Sequence, residues 1–468
     1  MKFTSDVVIG LEIHVELKTQ TKLFCGCPTS GNDEPNTRVC PVCLGMPGSK
    51  PVLNKKAVEY ALKLCLAMGC DISSELVFSR KSYFYPDLAK NYQITQYELP
   101  LGKHGVLKLK DGKVISLSRI HIEEDPASLV HPAGMKGSSY VLVDYNRSGQ
   151  PLVEVVTGPD LTSPPEAREF MKQLITILGY LDIFDEHNGI IKADANVSVK
   201  EKGYTRVEIK NITGFKEIER ALKYEVDRQH SGETVIQETR AWDSDSGVTF
   251  SLRTKETEED YGYIIDPDLV PITISKEFIA EIKKSLPELA HDKVSKFVDK
   301  HKLKKEDAEI LAAEKELAEL FERVAKEVDP LLAAKWIRRE LVRVLNYGKK
   351  VLKDIELDEQ NLIMLLKLVE HKKITDATGQ QLMEKLIEQP FNVKEYVEKE
   401  GLLAVSDSFE LEKFCMEAIA ENEKAVVDYK KGNEKALNFI VGSVMKKTKG
   451  KATPAEVNDI LKKLIIQD

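Results

Sequence analysis

The sequence has no stretch of roughly 18 consecutive apolar residues, so no membrane-spanning helix is expected. Its opening, MKFTSDVVIG, has no basic segment followed by an apolar run. No signal peptide is therefore expected, and a cytoplasmic location is inferred. There is no G-x-x-x-x-G-K-[ST] and no kinase-type glycine loop, so any nucleotide site must be of another kind. No internal repeat and no low-complexity tract occurs. Basic residues are also short: 68 Lys and Arg stand against 76 Asp and Glu, a net charge of −8. The whole chain thus lacks the basic footprint of a nucleic-acid binder, although charge can be segregated by domain. Cysteines number seven, an odd count, and four of them cluster tightly. That pattern points to a metal site in a reducing compartment rather than a disulfide framework.

Of the 468 residues, 42% are hydrophobic, enough for a sizeable core. At about 150 residues per domain, two to four domains are expected. The first part of the chain alternates with a period of two. Leu11, Ile13, Val15 and Leu17 point one way, and Glu12, His14 and Glu16 the other, which describes a half-buried strand. Ile191 to Val199 and Tyr204 to Lys210 repeat the device. A helix is predicted from Ser163, with Pro164 at its first position and Glu166 completing a capping box. Strands with one wet face mixed with helices predict an α+β domain on an antiparallel sheet. Beyond it the texture becomes Leu-, Ala-, Lys- and Glu-rich with helical periodicity. Asp329-Pro330 opens a helix carrying Ile337, Leu341, Val344 and Leu345, and Thr453 with Glu456 forms a second capping box. The expected division is a domain over 1–293, an all-α domain over 294–406 and a small all-α tail over 407–468.

Cys25, Cys27, Cys40 and Cys43 read C-x-C, twelve residues, C-x-x-C. Two short-spaced thiolate pairs can meet at one tetrahedral Zn²⁺, and four protein ligands leave no open position, so the site is expected to be structural. Cys65, Cys70 and Cys415 read as core packing. Glu12 and His14 lie two apart on one strand face, about 6.6 Å from each other. An imidazole and a carboxylate side by side can hold Mg²⁺ or Mn²⁺ with other oxygens; an ordinary solvated face is the alternative. Acidic residues recur at His121-Ile122-Glu123-Glu124-Asp125, Asp194 and Glu208, and several carboxylates on one face repel unless cations neutralise them. Lys81, Arg147 and Lys210 accompany these acids. Acid-bound Mg²⁺ with Lys and Arg is equipment for phosphoryl transfer; plain surface charge is the alternative. Lys446, Lys447, Lys449 and Lys451 make the densest basic patch, able to meet phosphates or to serve as a solvated linker.

Longer strings carry a resemblance. Gly10-Leu11-Glu12-Ile13-His14-Val15-Glu16-Leu17 with the four cysteines, and Tyr83-Phe84-Tyr85-Pro86-Asp87-Leu88, resemble the B-subunit family of aspartyl/glutamyl-tRNA amidotransferases. So do His121-Ile122-Glu123-Glu124-Asp125, Asp144-Tyr145-Asn146-Arg147, Asp194-Ala195-Asn196-Val197-Ser198, Glu208-Ile209-Lys210-Asn211 and Gln237-Glu238-Thr239-Arg240. The tail, Lys435-Ala436-Leu437-Asn438-Phe439 and Met445 to Pro454, continues it in the family's order.

The resemblance implies a cradle-shaped domain with an ATP-dependent phosphorylation site, and helical and tail domains that grip tRNA. It implies phosphorylation by ATP of the side-chain carboxylate of misacylated Asp-tRNA(Asn) or Glu-tRNA(Gln). Ammonia from an amidase (A) subunit would then displace phosphate, within a heterotrimer that includes a small C subunit. Glu12, His14, Glu124 and Asp194 would hold Mg²⁺, with Glu208 a weaker candidate. Lys81 and Arg147 would neutralise phosphate charge, with Lys210 behind them, and Lys446 to Lys451 would lie near the tRNA backbone. The chain departs from the family pattern at Gly442-Ser443-Val444-Met445, at Ile212-Thr213-Gly214-Phe215 and at Lys192-Ala193. A paralogous archaeal subunit carries a large inserted domain, and no such insertion is seen. No amidase-type Ser-Ser-Lys signature and no glutaminase cysteine motif occurs, so a partner must make the ammonia. A zinc-bearing tRNA adaptor without catalysis is the alternative; it would not need the acids.

Overall fold

The computed structural model describes residues 3–132, 134, 138–185, 189–254, 261–404, 408–448 and 451–467. The chain divides into two compact units, Met1–Glu288 and Leu289–Asp468.

The first unit is built on a nine-stranded sheet. Its central strand is Val7–Glu16, flanked antiparallel by Pro151–Thr157 and Ile191–Val199. Beyond Pro151–Thr157 come Val114–Glu124, Gly102–Lys108 and Asp71–Ile72. Beyond Ile191–Val199 come Val207–Thr213, Glu238–Asp243 and Val248–Thr254. The period-two pattern determines which face each side chain takes. Leu11, Ile13, Val15, Ala195 and Val197 are wholly buried on one face. Burying each such Ile or Val contributes about 1.5–3 kcal/mol. Three helices, Lys55–Ala67, Pro164–Leu181 and Phe215–His230, pack with one another and with the sheet on this apolar side. The opposite face carries Glu12, His14, Glu154, His121, Glu123, Asp194 and Lys210.

One neighbour pair departs from the antiparallel expectation. Val207–Thr213 and Glu238–Asp243 run parallel, because the helix Phe215–His230 intervenes and returns the chain to the same end of the sheet. The start of Pro164–Leu181 also differs from the sequence reading. Ser163 makes no side-chain cap, and the Glu166 carboxylate instead accepts the backbone N–H of Thr162 at 2.8 Å and the Nζ of Lys113 at 2.7 Å. The box has moved back one residue because Glu166 finds a backbone donor, a hydroxyl and an ammonium together.

Behind Val207–Thr213 lies a charged network centred on a buried carboxylate, with its two arginines partly exposed. Glu225 is fully buried and accepts from Arg228 at 2.6 Å and from the Thr249 hydroxyl at 3.0 Å. Arg240 bonds to Glu238 and to Thr249, both at 2.8 Å. The buried charge is matched, as it must be where water is excluded.

The second unit is helical. Asp329 caps Pro330–Trp336 by accepting the Leu332 N–H at 2.8 Å. The helix widens into a π segment over Ile337–Leu341 and resumes as Val342–Tyr347. Trp336, Ile337, Leu341 and Leu345 are buried, while Val344 is half-buried. At the carboxyl end, Leu411, Cys415, Leu437, Ile440, Val444, Val457 and Leu461 form a small separate core. At Thr453 one half of the expected capping box forms: its Oγ1 accepts the Glu456 N–H at 3.4 Å and donates to the Glu456 carboxylate at 2.6 Å.

Candidate active site

Strand register places the polar side chains. Across the central strand, His14 is paired with Glu154 on one side and Lys192 on the other, and Glu12 with Asp194. Glu154 is in turn opposite His121. Side chains at such directly opposed positions touch. Glu12, His14, Glu154, Lys192 and Asp194 wall a cavity of about 1080 Å³, which Lys81, Tyr83, Tyr85, Asp87, Asp125 and Arg147 also line.

His14 Nε2 lies 3.3 Å from both Glu123 and Glu154. The ligand atoms of these three residues all fall within 4.8 Å of one another. Burial pushes the His14 imidazole down, but hydrogen bonds and charge from Glu123 and Glu154 outweigh it and hold the pKa well above the usual histidine value. Burial pushes Glu154 up, and the two histidines beside it pull it well below the carboxylate range. His121 is buried, with Nε2 3.5 Å from Glu154, and burial depresses its pKa. One imidazole and two carboxylates suit a hard divalent cation such as Mg²⁺ or Mn²⁺.

A second corner lies around Lys210. Its Nζ is 2.6 Å from Asp194 and 3.3 Å from Glu208. Burial opposes its charge, but Asp194 and Glu208 raise its pKa above the ordinary lysine value. The Thr239 hydroxyl donates to Glu208 at 3.1 Å, and the Asn196 amide donates to Glu12 at 3.2 Å. Burial, then the charges of Glu154 and Glu208, push Glu12 up.

Arg147 pairs with buried Asp125, whose carboxyl is pushed up to about 6 by burial against that ion pair. Lys81 sits on the small strand Ser79–Ser82 with its Nζ 4.6 Å from the Tyr261 ring centre. Burial raises Asp87 as well.

Cys25, Cys27, Cys40 and Cys43 bring their sulfurs within 4.8 Å of one another. A hydrogen bond from Cys25, opposed by burial and aided by the charge of Lys22, lowers Cys43 to about 4. Burial raises Cys27 to about 11. Lys22 is itself fully buried, 3.6 Å from Cys43 Sγ and 2.8 Å from the Arg38 carbonyl. Four sulfurs with a fixed cation behind one of them suit a closed tetrahedral metal site. The turn bearing Arg147 joins this knot to the cavity: Ser148 Oγ donates to the Cys43 carbonyl at 3.0 Å, and Gly149 N–H to the Asp125 carbonyl at 2.9 Å.

Of the residues singled out in the sequence, Glu12, His14, Lys81, Arg147, Asp194 and Lys210 line the cavity, with Glu208 beside Lys210. Glu124 does not join them. Its parity is opposite to Glu123, and its carboxylate accepts from Lys90 and from the Ile94 N–H at 2.9 Å. Glu123 takes the place expected of Glu124. Lys446 is exposed, Lys447 is held by Glu421 at 2.7 Å and Glu417 at 3.3 Å, and Lys451 is half-buried. Lys449 lies outside the described residues.

Sequence reasoning named His121 and Lys192 without giving either a role in the site, and passed over Glu154. Glu154 had a signal: it is the one acid in the otherwise uncharged strand Pro151–Thr157, and a lone carboxylate in a buried strand needs a partner.

A family model described as the GatB/GatE catalytic domain matches residues 7–280, and one described as a GatB domain matches 319–465. The B subunit of the aspartyl/glutamyl-tRNA(Asn/Gln) amidotransferase of Carboxydothermus hydrogenoformans is 44% identical over 471 residues, covering 98% of each chain. The protein of the same name from Persephonella marina is 43% identical over 473 residues, covering 98% of this chain and 99% of its own.

Proposed function

The chain belongs to the B-subunit family of aspartyl/glutamyl-tRNA(Asn/Gln) amidotransferases, glutamine-hydrolysing ligase complexes, and from that premise we propose that its cavity activates a carboxylate by phosphorylation. The observation that carries this reading is the convergence of His14, Glu123 and Glu154 with Lys81, Arg147 and Lys210 around one cavity. A non-catalytic adaptor would have no use for buried acids there.

The substrates are ATP and Asp-tRNA(Asn) or Glu-tRNA(Gln). A side-chain carboxylate is a poor electrophile. Its oxygen attacks the γ-phosphorus, the bond to the bridging oxygen breaks, and ADP leaves. Ammonia then attacks the acyl carbon, phosphate departs with the former carboxylate oxygen, and nitrogen loses a proton. Asn-tRNA or Gln-tRNA results. Arg147, held rigid by Asp125, presents a fixed cation. Lys81, on a flexible stem against Tyr261, follows the transferring phosphoryl group. Lys210 keeps Asp194 and Glu208 neutralised so that they do not repel the triphosphate. Such positioning and charge neutralisation is most of what phosphoryl transfer requires. A Mg²⁺ ion bound by His14, Glu123 and Glu154 would supply further neutralisation of phosphate charge. Zn²⁺ in the cysteine site would fix the loop beneath Arg147 and take no part in the chemistry.

Ammonia would come from an amidase (A) subunit, with a small C subunit completing a heterotrimer in the cytoplasm. No helix among the described residues is long and apolar enough to cross a membrane. The division into 1–293, 294–406 and 407–468, with the last two gripping tRNA through Lys446, Lys447, Lys449 and Lys451, belongs to the same proposal.

The test is amidation by the reconstituted complex with misacylated tRNA, ATP, Mg²⁺ and ammonium, which removes dependence on glutamine hydrolysis. Wild type should make Asn-tRNA or Gln-tRNA; His14→Ala and Glu154→Ala should not, while still binding tRNA. Full activity in both variants would move the active site elsewhere.

A further inference from the structure

Two features of the cavity mouth are not used by the phosphoryl chemistry. In the segment Ser82 to Asp87, Tyr83 and Tyr85 line the cavity. Tyr83 is packed edge-on against Tyr261 at 5.8 Å. Tyr85 is 55% exposed and stacks on no other ring among the described residues. This exposure is not that of a loose loop. The Tyr85 carbonyl accepts from Leu88 N–H at 3.0 Å, the Pro86 carbonyl from Tyr145 Oη at 3.2 Å, and the Asp87 carbonyl from Ala127 N–H at 3.0 Å. Three successive backbone carbonyls are tied down, and an aromatic ring is still presented to the cavity.

The second feature is Asp87. Its Oδ1 is buried and has no hydrogen-bond partner. A buried acceptor without a donor is costly and is rarely left so. A single residue, Pro86, separates it from Tyr85 along the chain, and Tyr85 and Asp87 face the same cavity.

We propose that Tyr85 and Asp87 form an adenine site: the base stacks on the Tyr85 ring, and its exocyclic amino group donates to Asp87 Oδ1. A flat aromatic face takes any base. The acceptor selects among them. Adenine presents an amino donor at the position where guanine and hypoxanthine carry a carbonyl oxygen, which an acceptor-only carboxylate repels. This inference rests on the amidotransferase reading, which supplies two adenines: that of ATP, and the adenosine ending the tRNA acceptor strand. The recognition chemistry is the same for either.

The experiment follows amidation by the reconstituted complex in two arms. One compares ATP with ITP; the other compares tRNA ending in adenosine with tRNA ending in inosine. Asp87→Asn replaces an acceptor-only group by one that can also donate. In one arm the adenine preference should collapse by roughly 10- to 100-fold relative to wild type, and that arm identifies the source of the base. Tyr85→Ala should raise KM for that same substrate by about 5- to 150-fold with kcat held, and Tyr85→Phe should restore it. Tyr85 is exposed, so Tyr85→Ala folds normally and carries the test if Asp87→Asn is unstable. An unchanged adenine preference in both arms, or a Tyr85→Ala variant with both KM values at wild type, overturns the site. A wild-type complex that makes no amidated tRNA overturns the parent reading instead.

Discussion

Replacing Glu154 by Gln separates the candidate metal corner from the rest of the acidic face. At an effective dielectric near 20, two unit charges 4 Å apart interact with about 4 kcal/mol, and a divalent ion doubles this to about 8. Against that stands what Glu154 already has. His14 Nε2 lies 3.3 Å away and is held protonated by its neighbours; on the same scale that pair is worth about 5 kcal/mol, and a cation that displaces the proton gives it up. The difference is about 3 kcal/mol, roughly a hundredfold in Kd. Mn²⁺ binding to the purified protein, followed by electron paramagnetic resonance, measures it; Mn²⁺ favours oxygen and imidazole ligands over the thiolates of the cysteine site. Glu124→Gln is the control. Its carboxylate is occupied by Lys90 and Ile94 N–H, so Mn²⁺ affinity should stay within about threefold. The protein should instead lose about 1.5–3 kcal/mol of stability from broken charge-assisted hydrogen bonds. If Glu124→Gln weakens Mn²⁺ more than Glu154→Gln does, the assignment of which acid faces the cavity is wrong.

The purified protein should carry about one zinc per chain; Cys40→Ser or a strong chelator should release it and lower the melting temperature, and a melting curve unmoved by chelator argues against a structural metal. Glu166 is held below the usual carboxylate pKa by Lys113 and Thr162, against its burial. A depressed carboxylate stabilises the fold above its unfolded pKa of about 4.3 and loses that contribution as pH falls through the lower folded value. Glu166→Gln should therefore cost about 1.5 kcal/mol at pH 7, with the gap to wild type closing below about pH 4; a gap constant with pH sinks the idea. Arg240→Met leaves Glu238 and Glu225 short of a cation and should cost about 3–5 kcal/mol in urea unfolding; a stable variant would mean water reaches the buried carboxylate.

The period-two strings were the legible part of this fold. Leu11, Ile13 and Val15 against Glu12, His14 and Glu16 identified the central strand and its wet face without any structure. The cysteine spacing was likewise local, and the four sulfurs do converge. Register was not legible. Nothing local says that His14 sits opposite Glu154, because the pairing joins strands far apart in the chain. The choice between Glu123 and Glu124 turned on parity, and the acidic run of Val114–Glu124 gave two neighbouring acids with no local reason to prefer one. The shift of the cap from Ser163 to Thr162 depends on Lys113, which only the folded chain brings near. The parallel pair of strands was hidden for a similar reason: alternation specifies a face but not a direction.

The polar face also explains why the acids do not form a single metal set but separate into two corners. Around Asp194 and Glu208, the chain supplies its own cation: Lys210 lies within 3.3 Å of both carboxylates, and its charge is strengthened by them. A divalent ion arriving there would have to displace a well-placed ammonium and leave it unpaired, which costs more than it gains. Around His14, no lysine or arginine among the described residues holds both carboxylates; Arg119 reaches only Glu154, at 3.6 Å. His14 must supply the balancing charge by holding a proton, and a proton on imidazole is far more easily exchanged for a metal than one on a lysine. Glu12 lies between the two corners and is raised by carboxylates from both sides, so a cation at the His14 corner also relieves Glu12. Exchangeable charge is therefore concentrated at His14, Glu123 and Glu154, and fixed charge at Lys210. Phosphate chemistry needs both: a replaceable cation that enters with the nucleotide, and a permanent one that keeps the neighbouring acids from repelling it.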